Sequence, residues 1–198
     1  MEEEDEKKRL KMIRKELKED LDKERYEHTM GVANTAVSLA MSVSYDYHKA
    51  FLAGLLHDCA KCIPNPEKIT ICENNGIEIT EIEYENPSLL HSKLGALLAR
   101  EKYGVSDEEI LGSIIYHTTG KPDMNLLEKI IFVADYIEPG RDKQPNLTEL
   151  RALAFHDLDQ AVYRISGDTL EYLKKKELTL DPMTQKTYEY YQEWIKKR

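Results

Sequence analysis

No stretch of this 198-residue chain approaches the ~20 consecutive apolar residues of a membrane-spanning helix. Nor is there an excess of positive charge: 28 basic and 37 acidic residues leave a formal net charge of −9. A general nucleic-acid binder needs a basic face, so that class is excluded. A small phosphorylated ligand is not, because a metal ion or a few arginines supply the local charge it needs. Cysteine is scarce. Cys59, Cys62 and Cys72 are odd in number, which argues against a disulfide framework. Cys59 and Cys62 form one C-x-x-C, but a zinc ribbon needs a second pair, so the three read as free thiols packing as small hydrophobes. No repeat period is visible. The N-terminus, "MEEEDEKKRLKMIRKELKED", is too charged for a signal peptide. The expectation is a soluble cytoplasmic protein without membrane or nucleic-acid partners, with a homodimer allowed.

What is present is helical periodicity over a 41% hydrophobic composition, enough for a real core. Leu10, Ile13, Leu17 and Leu21 make a narrow apolar stripe in a charged first helix. A second helix is predicted from about Arg25 to Val43, and a third from about Tyr47 to Lys61, stopped by Pro64 and Pro66. Glu67–Asn74 reads as helical. "EITEIEYENP" is ambiguous between a short strand and a helical turn. Pro87 opens a helix that ends near Tyr103-Gly104, and a Ser106/Glu109 capping box opens another to Tyr116. "LLEKIIFVADYIEPG" is a strongly apolar helix. Two more follow, Leu147–Phe155 and Asp157–Lys176, and Asp181-Pro182 opens the last. No segment is a confident strand. The fold class is all-α, one domain over residues 1–198, with about eight to ten helices.

The chemistry sits where polar residues interrupt apolar helix faces. "LLHDCAK" ends an inward-pointing run with His57 and Asp58. His28 lies in "RYEHTMGVA", His91 follows Leu89-Leu90, His117 follows Ile114-Ile115-Tyr116, and Asp135 sits in "IIFVADYI". One such residue is an ordinary satisfied core polar group. Six would each need a partner, and a shared cation satisfies them together. On a helix His57 and Asp58 stand about 100° apart and can grip one ion, with His28 and Asp135 reaching it from two other helices. Imidazole and carboxylate suit iron, manganese, zinc or nickel better than calcium. His48, in the polar "YDYHK", and His156, beside Asp157, read as exposed or structural.

The order His28, His57-Asp58, Asp135 resembles the HD-domain metal-dependent phosphohydrolases. The strings "RYEHTMGVA", "GLLHDCAK", "YHTTGKP" and "IIFVADYIEPGR" are similar to those of the YqeK-type branch, which splits diadenosine tetraphosphate symmetrically into two ADP. The resemblance runs from about Arg25 to Arg141 and implies an HD-type helical bundle whose C-terminal helices complete a nucleotide pocket. It implies a divalent metal, iron above manganese, nickel or zinc, held by His28, His57, Asp58 and Asp135. His91 and His117 then hold a second metal or contact phosphate, and with two ions Asp58 is the bridge. Metal-bound water, its pKa lowered toward ~7, would attack phosphorus.

Asp58 and Lys61 are the catalytic candidates. Substrate contacts are expected from Arg25, Asp58, His91, His117, Thr118, Asp135 and Arg141, and from the turn Leu178, Thr179, Leu180, Asp181, Pro182 and Met183. The tail departs from the family pattern, with Asp181 where a histidine is expected. The alternatives are an HD phosphohydrolase acting on nucleoside monophosphates or cyclic dinucleotides, a di-iron oxygenase, and a non-catalytic nucleotide-binding module. The Gly-Tyr-Pro signature of the cyclic-dinucleotide branch is absent from the sequence.

Overall fold

The computed structural model describes residues 2–198, with side chains described from residue 4 onward except Glu6. Eleven α-helices and no strand are found among them: α1 Glu2–Asp20, α2 Lys23–Ser42, α3 Tyr47–Leu56, α4 Asn65–Asn74, α5 Glu81–Glu85, α6 His91–Glu101, α7 Glu108–Tyr116, α8 Leu126–Ile137, α9 Leu147–Ala154, α10 Leu158–Lys175 and α11 Pro182–Lys196, with a 3₁₀ turn at Pro87–Leu90. None is long and apolar enough to cross a membrane. The count exceeds the expected eight to ten because the ambiguous segment is itself a helix. Thr80 and Glu83 cap α5 reciprocally, which decides a stretch whose apolar spacing fits either period.

α8 is the central element. Its buried residues include Leu127, Ile130, Ile131, Phe132 and Val133, too many for a single stripe. It packs against α2, α3, α7, α9 and α10. Such a helix is stabilised by burial on several sides, each fully buried Leu or Ile contributing about 1.5–3 kcal/mol. α2 and α3 lie against each other through Ala33, Ala36, Ala50 and Ala53, all fully buried. Gly54 permits that approach, since a Cβ there would stand 2.8 Å from the Ala33 Cα. A smaller cluster of Ala60, Cys72, Leu90 and Leu94 lies beneath α4 and α6.

Three local readings need correction. α3 ends at Leu56 rather than near Lys61, so His57 and Asp58 stand in the turn after the helix. The cause is the His57 ring, whose Nδ1 lies 2.7 Å from the Gly54 carbonyl that an α-helix would have offered to the Asp58 amide. The backbone continues in tighter turns, with the Cys59 amide donating to Leu56 O and the Lys61 amide to Asp58 O. The cap of α7 is Asp107, which accepts from the Glu109 amide, and not Ser106. Glu109 is instead engaged by Tyr45 and Lys49. Pro66 belongs to the first turn of α4, where its missing N–H costs nothing.

Two contacts from the C-terminal third fix the loops around the polar centre. Thr187 of α11 donates to Thr119 O (3.0 Å), and the Tyr191 hydroxyl accepts from the Met124 amide (3.1 Å), clamping the loop after His117. Arg151 of α9 donates to the carbonyls of Ile137, Glu138 and Arg141, all at 2.9 Å, and so pins the turn after α8.

Candidate metal centre

Three of the buried histidines are placed by one device. The Nδ1 atoms of His57, His91 and His117 lie 2.7, 2.6 and 2.7 Å from the carbonyls of Gly54, Ser88 and Ile114, each three residues earlier. A carbonyl only accepts, so each Nδ1 carries the proton and each Nε2 turns its other valence inward. His28 follows the same logic from the side of α2, with Nδ1 3.1 Å from the Glu138 carboxylate.

The inward nitrogens converge on Asp58, whose side chain is 3% exposed. Its Oδ2 lies 3.8 Å from His28 Nε2 and 3.5 Å from His57 Nε2, and its Oδ1 lies 3.2 Å from His91 Nε2 and 3.5 Å from His117 Nε2. Asp135 Oδ1 lies 3.0 Å from His28 Nε2 and 4.0 Å from His57 Nε2. The result is two triads with metal-ligand spacing, His28–His57–Asp58 and Asp58–His91–His117, that share one carboxylate.

The residues fit a divalent cation on structural grounds. His28 Nε2, His57 Nε2 and Asp58 Oδ1 are buried without a hydrogen-bond partner. Each such atom costs about 1–3 kcal/mol, so three around one carboxylate group are destabilising unless something cationic meets them. The Nε2 atoms of His91 and His117 face each other at 3.1 Å. With both protons held on Nδ1, two lone pairs would oppose one another there, an arrangement that a proton or a metal relieves.

Electrostatics match. Burial alone would raise the Asp58 carboxyl, yet the imidazoles of His57, His117 and His91 hold it well below the usual carboxylate range. Asp135 behaves alike: burial opposes ionisation, and His28 and the Arg141 guanidinium override it. Burial pushes the His91 imidazole down to about 4, so it is neutral near pH 7. Both aspartates are thus charged acceptors, the state that metal binding requires.

Three cations border the centre. Arg25 donates to Asp58 Oδ2 at 2.7 Å, Arg141 donates to Asp135 Oδ1 at 2.7 Å and to the Asp135 carbonyl at 3.0 Å, and Lys61 Nζ lies 3.2 Å from His91 Nε2. Thr118 Oγ1 is 3.3 Å from His91 Nε2, 3.1 Å from His117 Nε2 and 3.2 Å from Ser92 Oγ.

The structure therefore brings together His28, His57, Asp58, His91, His117 and Asp135, with Arg25, Lys61, Thr118 and Arg141 at their rim. It does not gather the whole 178–183 turn. Asp181 and Met183 line a cleft with Ser92 and Thr118, whereas Leu178, Thr179, Leu180 and Pro182 are exposed. His48 and His156 are exposed, as read from the sequence. Cys59 is buried against the Gly95 carbonyl, and burial lifts its thiol to about 12, so it packs and does not react.

Sequence reasoning missed Glu138 and Arg151. Glu138 is 3% exposed, holds His28 through one oxygen and accepts from the Gly140 amide (2.6 Å) through the other. Its carboxylate lies against Gly31, where a side chain would collide with it. The available signal was a carboxylate directly after an apolar helix whose histidine-bearing neighbour has a glycine one turn on. Arg151 carried no local signal, because its partners are backbone carbonyls of a distant turn.

Known proteins resemble this chain over most of its length. The HD domain family matches residues 25–140. A Bacillus subtilis protein named bis(5'-nucleosyl)-tetraphosphatase, symmetrical, is 43% identical over 87% of this chain and 91% of its own length. A Halalkalibacterium halodurans protein of the same name is 41% identical over the same shares. The crystal structure of a protein from Clostridium acetobutylicum, described as a predicted HD superfamily hydrolase involved in NAD metabolism, superposes with a TM-score of 0.90 at 40% identity, covering 96% of this chain and 98% of that one.

Proposed function

The chain belongs to the HD-domain family, and from that premise we propose that it is a metal-dependent phosphohydrolase that splits diadenosine tetraphosphate symmetrically into two ADP. The observation that carries the proposal is the pair of triads joined at Asp58, in a chain whose relatives at 41–43% identity bear that enzyme's name. His28, His57, Asp58 and Asp135 would hold the ion; their mixed imidazole and carboxylate donors suit iron, manganese, nickel or zinc, and of these the family resemblance favours iron. His91 and His117 would complete a second position through Asp58 or meet the phosphate directly.

When bound, the ion supplies Lewis acidity and lowers the pKa of water toward ~7. The chain does the rest. Arg25 and Arg141 each have five N–H donors and spend one on a carboxylate, Arg141 a second on the Asp135 carbonyl. Their remaining donors suit phosphate oxygens, to which a guanidinium presents paired N–H groups. Lys61, 4.0 Å from Asp58 Oδ1 and beside a neutral His91, sets an ammonium where negative charge develops on the phosphoryl group. His57, His91 and His117 are buried, so bulk water does not reach the backs of their rings.

Product analysis tests the assignment. Protein loaded with iron or manganese is incubated with diadenosine tetraphosphate and the nucleotides are separated. ADP as sole product is expected. ATP with AMP, or no turnover with either metal, zinc or nickel, overturns it.

A further inference from the structure

Symmetric cleavage leaves a nucleoside diphosphate on each side of the broken bond, so the centre must seat two nucleosides. One cleft beside it is bounded by Ser92, Thr118, Asp181 and Met183. A second cleft leaves the centre past Arg25, His28 and Arg141 and reaches Lys143 and Gln144. Those two residues also border a separate cavity of about 350 Å³, walled by Tyr136, Pro145, Asp168 and Tyr172. We infer that this cavity is the second nucleoside subsite, receiving a base that presents N–H donors, with adenine bound through its exocyclic amino group. The inference rests on the dinucleoside reading above and names where the other half of that substrate goes.

Four observations converge on it. The cavity shares Lys143 and Gln144 with the cleft that leaves the metal centre, and Tyr136, in its wall, directly follows Asp135 on α8. Its size is at the lower end of ligand pockets, roughly 300–1,000 Å³, as half of a divided substrate requires. Its walls carry two tyrosines and Pro145 beside the polar residues, and Tyr172 is 54% exposed, so it gains cover from a stacked base. Finally, Gln144 Oε1 and Asp168 Oδ2 are both buried without a hydrogen-bond partner. Both atoms only accept. Buried polar groups are almost always paired, and two orphan acceptors beside one cavity ask for a donor-bearing ligand. Burial also pushes the Asp168 carboxyl up, although the Asn146 side chain and the Arg164 charge pull the other way. Lys143, at the junction of the two spaces, is exposed and positive where the distal phosphates would pass.

The test compares two substrates in metal-loaded enzyme: diadenosine tetraphosphate, with two nucleosides, and adenosine 5'-tetraphosphate, with one. Tyr172→Ala removes an exposed ring, and Gln144→Leu removes an acceptor at similar size, and thermal melts confirm that both variants fold. Each variant is expected to raise KM for the dinucleoside by about tenfold, the scale of one lost base–aromatic stack, while KM for the mononucleoside substrate stays within about twofold. Unchanged KM for the dinucleoside in both variants, or an equal rise with both substrates, overturns the subsite. A wild-type enzyme that does not yield two ADP would instead overturn the function on which it rests, so the two failures are distinguishable.

Discussion

On one side of Asp58, His28 gives its Nδ1 proton to the Glu138 carboxylate; on the other, His91 and His117 give theirs to the backbone carbonyls of Ser88 and Ile114. A charged acceptor makes an imidazole a more basic ligand than a neutral one does. The His28 side also has Asp135 within 3.0 Å. The His91 side has no second carboxylate and carries the Lys61 ammonium 3.2 Å from His91 Nε2, which disfavours a neighbouring cation. Residues of one type, arranged around one shared aspartate, are thus tuned apart by what lies behind them. On the function proposed above, the first triad would retain an ion, and the second would release one or meet a phosphate.

The largest expected effect comes from the residue that both sides share. Asp58→Ala should leave no bound metal by mass spectrometry and no measurable turnover, whereas His91→Ala should leave the ion of the first triad in place. Retention of stoichiometric metal in the Asp58 variant would show that the two sides do not depend on one bridging carboxylate.

A smaller effect separates the two sides directly. Glu138→Gln keeps the shape of the side chain and removes its charge. Metal affinity in a chelator competition should fall about 10–100-fold, the usual cost of losing a partner behind a ligating histidine. Unaltered affinity would erase the proposed asymmetry, because Glu138 is the charged group that receives the His28 Nδ1 proton, whereas His57, His91 and His117 give theirs to backbone carbonyls.

How much of this was legible in advance depended on range. The residues of the polar centre announced themselves because a polar group at an apolar helix end is costly, and six of them, from His28 to Asp135, could be read from their immediate neighbours. The apolar periodicity likewise gave ten of the helices, and α5 was undecided only because Ile77, Ile79 and Ile82 fit two periods. What could not be read was whatever depends on a ring turning back on its own helix or on a distant carbonyl. The early end of α3 comes from the His57 ring, the hold on His28 crosses 110 residues to Glu138, and the turn that carries Glu138 is pinned by Arg151 through backbone atoms that have no sequence identity. The asymmetry of the centre therefore belongs to tertiary structure, while its composition belongs to the sequence.

The smallest effect lies at Thr118, on the side that faces the substrate cleft. Its hydroxyl sits within 3.3 Å of both inward nitrogens of the second triad and 3.2 Å from Ser92 Oγ. Thr118→Val preserves the β-branched shape and removes only those polar contacts. One hydrogen bond of this kind is worth about 1 kcal/mol, so kcat/KM should fall roughly fivefold. Metal content should not change, since the first triad does not touch this hydroxyl. A loss of metal in step with activity would place Thr118 behind the ligands of a firmly held second ion, and the two sides of Asp58 would then be more alike than their surroundings suggest.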